Sequence, residues 1–239
     1  MELPILYEDN HLLIVNKPAG ILAQGDVTGD LPVADIAKSY IKKKYNKPGE
    51  VFLGVVHRLD RPVSGAVVLA RTSKALERMN ALFRERETEK TYWAIVGRKP
   101  ASSQGTLVHW LLKDEKKNKT TFFTKETTGA LRSELRFKVL AEATEFVLLE
   151  VIPVTGRSHQ IRVQLSAMGC PIKGDLKYGD TDSNDGVSIS LHAIQISFIH
   201  PVKKELLRTY APTPDSGLWM LFKNIERSQY GNTRVDRTP

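Results

Sequence analysis

Cysteine is almost missing from the 239-residue chain, which has only Cys170. No intrachain disulfide can staple such a chain, and no cysteine cluster can hold a structural zinc, so packing must stabilise the fold and a reducing compartment is its natural setting. Long apolar runs are also missing. None approaches the roughly 18 residues a membrane span requires, and Met1-Glu2-Leu3-Pro4 has no basic stretch leading into an apolar segment. The expectation is an unprocessed cytoplasmic protein with no membrane partner. His11, His57, His109, His159, His192 and His200 show no metal-ligand spacing of the H-E-x-x-H kind. There is no G-x-x-x-x-G-K phosphate loop, no dinucleotide fingerprint and no G-x-S-x-G elbow. The expected chemistry therefore uses neither metal nor cofactor.

At 41% hydrophobic and 26% charged residues, the composition is that of a globular chain able to bury a sizeable core. The formal net charge is +8, and residues 51–100 hold ten Lys and Arg against five Asp and Glu. Such a surplus suits a polyanion, because each phosphate neutralised releases condensed counterions, but it equally suits a surface that is merely basic and soluble. The lysine runs at Lys42 to Lys47 and Lys113 to Lys119 read as solvated faces.

Apolar runs flanking Asp9-Asn10 predict a hairpin of Ile5 to Glu8 with His11 to Asn16. Helical spacing over residues 32 to 45, ended by Pro48, predicts a first helix, and Thr72-Ser73 caps a second that carries Leu76, Met79, Leu82 and Phe83 on one face. Strands are expected at Val51 to Val56, Gly65 to Ala70, Lys90 to Val96, Gly105 to Leu112, Leu131 to Leu140, Glu145 to Ile152 and Ile194 to Phe198, with a last helix over Leu218 to Arg227. Neighbouring strands without regular intervening helices imply an α+β, mostly antiparallel sheet. One continuous domain over residues 1–227 and a polar tail over 228–239 are expected.

Three segments place polar groups where the pattern wants apolar or turn residues. Asp60, in His57-Arg58-Leu59-Asp60-Arg61-Pro62, is either a turn former or a nucleophilic carboxylate. Tyr92, on a strand after Lys90, is either a core aromatic or a functional one. Arg162 lies early in a helix that Ser158 would cap and Gly169 would close. There its charge opposes the macrodipole, so it either lays its stem over the core with its head in water or has an acidic partner or a phosphate.

His57-Arg58-Leu59-Asp60 with Ser64-Gly65 resembles the signature of the RluA family of pseudouridine synthases. Lys90-Thr91-Tyr92-Trp93-Ala94 resembles that family's K-x-Y-x-A strand, and Gly156-Arg157-Ser158-His159-Gln160-Ile161-Arg162 its G-R-x-H-Q-I-R segment. Gly174-Asp175 with Tyr178-Gly179 resembles its G-D-x-x-Y-G turn, and Leu191-His192-Ala193 with Phe198 and His200-Pro201 its closing strand. The five motifs occur in order and span about residues 10–212. The resemblance implies a mixed, largely antiparallel sheet with a central catalytic cleft flanked by helices and loops, and an isomerase acting on uridines of structured ribosomal or transfer RNA. It implies that Asp60 is the catalytic aspartate, that Tyr92 stacks on the target base, and that Arg162 pairs with the aspartate. Arg58, Arg61, Lys90, Arg157 and His159 are then expected RNA contacts.

Val63 and Gln164 depart from the family pattern, which commonly has a threonine and a second histidine there. Several family members carry an N-terminal RNA-binding S4 domain; strand signals from Ile5 onward leave no room for one, so recognition is expected from the catalytic domain of a monomer. A non-catalytic RNA-binding or chaperone domain on the same fold is the alternative. A base-releasing glycosidase would want a second carboxylate, which no motif supplies.

Overall fold

The computed structural model describes residues 3–26 and 29–231. In chain order the elements begin with β1 (Ile5–Glu8), β2 (Leu12–Lys17), α1 (Val33–Lys44), β3 (Gly54–Val55), β4 (Ser64–Ala70), α2 (Ser73–Glu85) and β5 (Thr88–Val96). They continue with β6 (Gln104–Asp114), β7 (Lys119–Phe123), β8 (Leu131–Ala143), β9 (Phe146–Pro153), α3 (Gln160–Ala167), β10 (Leu191–Ile199), β11 (Leu206–Tyr210) and α4 (Lys223–Tyr230). Short 3₁₀ turns occupy Leu176–Tyr178 and Gly217–Phe222. The α+β class read from the sequence holds. Among the described residues no helix is long and apolar enough to cross a membrane.

The chain forms two compact units, one of Met1–Glu89, Ala193–Pro214 and Glu226–Pro239, the other of Lys90–His192 and Asp215–Ile225. In the first, Asp9 makes the β1-β2 turn by accepting the N–H groups of His11 and Leu12, each at 2.8 Å. β2 pairs antiparallel with β4, from Leu12 opposite Ala70 to Lys17 opposite Gly65. All seven residues of β4 are buried, which is why it reads as a continuous apolar run rather than an alternation. β10 neighbours β4 and pairs antiparallel with β11. Gly65, at φ +119°, permits this approach: a Cβ there would stand 2.4 Å from the Ala193 carbonyl oxygen. The Thr72 hydroxyl caps α2 by accepting the Ala75 N–H at 3.1 Å, and the helix buries Ala75 and Met79 against Leu12, Ile14, Val68, Ile196 and Phe198.

The second unit is built on the strand order β5-β9-β8-β6-β7, every pair antiparallel in the registers β5-β9, β9-β8, β8-β6 and β6-β7. α3 packs on β6 and β7 and is buried from Gln160 through Leu165. A helix buried all round must satisfy its polar side chains internally. Gln160 does so by donating to the Glu134 carbonyl at 2.9 Å while accepting the Thr155 hydroxyl and the Arg157 N–H. Gln164 donates to the Leu107 carbonyl at 3.1 Å. The two glutamines, one turn apart, thus fasten α3 to the sheet.

The structure corrects several expectations. Val51 to Val56 shrinks to the two-residue β3, with Gly54 so close to Leu76 that a Cβ would lie 2.6 Å from that side chain. β7 and β11 are additional strands that the sequence pattern does not mark, each only five residues long. The last helix is split, and α4 runs to Tyr230, whose ring stacks on Tyr210 at 4.5 Å. Residues 232–239 of the expected tail lie outside the described residues.

Candidate active site

Asp60 sits in the loop between β3 and β4, partly buried. His57 anchors the start of this loop: its Nε2 accepts the Val68 N–H at 3.1 Å, and its ring stacks on Phe83 at 4.8 Å. Because Nε2 accepts, the proton of the neutral ring is on Nδ1. At the other end the Val63 N–H donates to the Asp60 carbonyl at 3.0 Å, and the Val63 side chain is buried where a hydroxyl would need a partner.

Beneath the loop lies Lys17, fully buried. Its Nζ donates to the carbonyls of Ile21 at 2.7 Å, Pro18 at 3.0 Å and Arg61 at 3.2 Å. The Arg61 carbonyl also accepts the Gly20 N–H at 2.8 Å, and the Arg61 Nε returns a bond to the Gly20 carbonyl at 2.9 Å. The backbone on the C-terminal side of Asp60 is therefore clipped to the 17–21 turn. Burial pulls the Lys17 ammonium down to about 7, against the negative charge of Asp60, which favours the charged form. Arg58 and Arg61 are exposed on the same loop, and Arg61 pairs with Asp30 at 2.8 Å.

In the second unit Lys90 and Tyr92 share the less buried face of β5, while Thr91 and Trp93 point the other way and are buried. Desolvation lowers the Lys90 pKa. A Cβ on Gly156 would lie 3.7 Å from Lys90 Nζ, so the K-x-Y strand and the turn into α3 are neighbours. Arg157 is exposed on that turn. The N-cap of α3 is His159, left-handed at φ 54°, rather than Ser158 as expected; Ser158 is exposed and its carbonyl accepts the Thr120 hydroxyl. His159, expected as an RNA contact, is buried with Nδ1 2.6 Å from the Tyr178 hydroxyl.

Arg162 is 5% exposed and Asp175 1%. They form a two-pronged ion pair, Nε to Oδ2 at 2.7 Å and Nη2 to Oδ1 at 2.8 Å. The guanidinium carbon lies 5.0 Å from the centre of the Tyr178 ring. The Tyr178 hydroxyl accepts the Thr120 N–H at 2.8 Å. Burial raises the Tyr178 pKa, with the Thr120 bonds and the Arg162 charge opposing, and the phenol shares a hydrogen bond with His159 Nδ1. Lys17, Asp175 and Tyr178 were not picked out as site residues from the sequence, although the last two lie in a quoted motif. Among the described residues no group of three or more His, Cys, Asp or Glu is arranged to hold a metal ion.

These groups make two kinds of chemistry available. A partly buried carboxylate on an immobilised loop suits attack on, or stabilisation of, an electron-poor carbon. A guanidinium oriented by a buried acid suits the directed donation of hydrogen bonds. Asp60 belongs to the first unit, Tyr92 and Arg162 to the second.

Comparison with known proteins gives both a sequence family and a set of solved folds. The family model described as RNA pseudouridylate synthase matches residues 11–167. Ribosomal large subunit pseudouridine synthase C of Vibrio cholerae is 35% identical over 220 residues, which is 87% of this chain and 65% of that protein. The enzyme of the same name from Escherichia coli K12 is 35% identical over 233 residues, 94% of this chain and 70% of its own length. The chain thus spans slightly under two thirds of the first of these relatives. Among solved structures, human RNA pseudouridylate synthase domain containing 4 superimposes with a TM-score of 0.75 at 26% identity, covering 95% of this chain and 93% of that one. Human RNA pseudouridylate synthase domain containing 1 shares the fold with a TM-score of 0.70 at 23% identity, covering 94% and 95%.

Proposed function

This chain belongs to the RNA pseudouridylate synthase family, and we propose that it isomerises uridines of large-subunit ribosomal RNA to pseudouridine with Asp60 as the catalytic carboxylate. One observation carries the reading: the family match over residues 11–167 contains Asp60, Tyr92 and Arg162 together. The ribosomal substrate follows the names of the relatives.

The reaction breaks the bond from N1 to C1′, turns the uracil and joins C5 to C1′; the C5 proton leaves to solvent and N1 regains one. It is redox-neutral and needs no external energy source. As the base departs, C1′ becomes electron-poor, as in glycoside hydrolysis, and the Asp60 carboxylate supplies the negative charge that this centre needs. Attack on C1′ and proton removal from C2′ both use the ionised acid, and a primary isotope effect on replacing the C2′ hydrogen with deuterium would mark the second route. Extruding the nucleotide costs a few kcal/mol of stacking, part of which an aromatic face such as that of Tyr92 returns. Arg58, Arg61, Lys90 and Arg157 hold phosphates of the surrounding backbone. Arg162 donates oriented hydrogen bonds to the base.

The test uses purified protein and ribosomal RNA carrying 5-tritiated uridine. Tritium release, accompanied by an alkali-stable carbodiimide adduct at a defined position, is the expected result. RNA retained by the protein with no tritium released and no adduct would favour the non-catalytic RNA-binding alternative.

A further inference from the structure

The Arg162 side chain is buried in the third position of α3, where a positive charge is opposed by the helix dipole, so the helix itself gives no reason for it. Stability gives little reason either: a buried ion pair is often no better than an apolar pair of the same volume, because desolving both charges offsets their attraction. What the pair does fix is geometry. Asp175 grips Nε and Nη2 and thereby sets the plane of the guanidinium, and the Tyr178 ring supplies a floor 5.0 Å from its carbon.

The turn that carries these two residues is itself rigid. Gly174 is left-handed at φ +86°, its N–H donates to Asp180 Oδ2 at 2.6 Å, and the Tyr178 N–H donates to the Asp175 carbonyl at 3.0 Å. Asp180 is held in turn by Lys173 at 2.9 Å. The Tyr178 hydroxyl, through His159 Nδ1, ties the same turn to the N-cap of α3. One six-residue turn thus sets the orientation of the guanidinium and the entry of its helix together.

We propose that Asp175 and Tyr178 are positioning residues for Arg162: they hold it as a charge-compensated, oriented hydrogen-bond donor rather than as a free cation. This rests on the reading of Arg162 given under the proposed function. Its consequence is that the orientation, not the charge, is what the reaction uses, so Arg162→Lys fails even though it keeps the charge.

The experiment measures kcat and KM for Asp175→Asn, Asp175→Glu and Arg162→Ala on tritiated RNA, with folding followed by circular dichroism. Asp175→Asn is expected to lower kcat about 10²-fold with KM within about threefold, the signature of misplacement at the reacting centre. Asp175→Glu is expected to recover part of the loss. Wild-type kcat in folded Asp175→Asn, beside an inactive Arg162→Ala, would overturn the positioning role while leaving Arg162 in the site. Near-normal turnover of Arg162→Ala would instead remove the premise and the role with it. If Asp175→Asn does not fold, millimolar guanidinium is added to Arg162→Ala and to Arg162→Ala/Asp175→Ala. Partial rescue of the first alone supports the role, and equal rescue of both overturns it.

Discussion

Asp60 and Arg162 are held by opposite means. The acid stays partly open while its backbone is fixed from below by a buried ammonium and a set of carbonyls. The guanidinium is itself buried and fixed directly, by a carboxylate and a ring. The Asp60 loop is set through its main chain, at the Arg61 carbonyl that both Lys17 and the Gly20 N–H reach. A guanidinium has five N–H donors, so it can be gripped on one edge and still donate from another.

The comparison predicts unequal responses to removing each support. Asp175→Ala takes a two-pronged carboxylate partner from a buried guanidinium and is expected to cost about 3–5 kcal/mol, read from the urea midpoint. Lys17→Met removes the donor to three carbonyls but also removes a costly buried charge, so the expected loss is smaller, about 1–3 kcal/mol. It is also expected to depend on pH. The Lys17 pKa is about 7 in the folded chain against an ordinary 10.5, so the unfolded chain binds more protons between those values and wild-type stability gains a rising component from about pH 7 to about 10.5. Lys17→Met should lack that component, and an identical pH dependence in both proteins would show that Lys17 is not the buried group described. Arg61→Ala removes only the exposed pair with Asp30 and the bond to the Gly20 carbonyl, and should change stability by no more than about 1 kcal/mol.

The same contrast explains how much of the molecule was legible beforehand. The Thr72 cap, the Asp9 turn and the apolar runs of β2 and β4 are local signals, and local signals survive folding unchanged. Asp60 and Arg162 stood out because each is a charge in a place where neighbouring residues want something else. Lys17, by contrast, looks like a solvated lysine at the end of a strand; its burial depends on the carbonyl of Arg61, 44 residues away in sequence. Asp175 looks like an ordinary turn aspartate, and only the return of the chain beneath α3 gives it a guanidinium. His159 displaced Ser158 as the N-cap because the bond to Tyr178 stabilises a left-handed backbone that local propensity does not favour. β7 and β11, at five residues each, are too short to show a pattern of their own, and the partners β6 and β10 give them their place in the sheet.

The most direct measurement is tritium release from 5-tritiated ribosomal RNA by Asp60→Asn beside the wild type, with RNA affinity recorded for both. The substitution preserves shape and removes the ionised acid, so release should fall to background while affinity stays within about threefold. Release at the wild-type rate by a folded Asp60→Asn protein would contradict the assignment of Asp60 as the catalytic carboxylate.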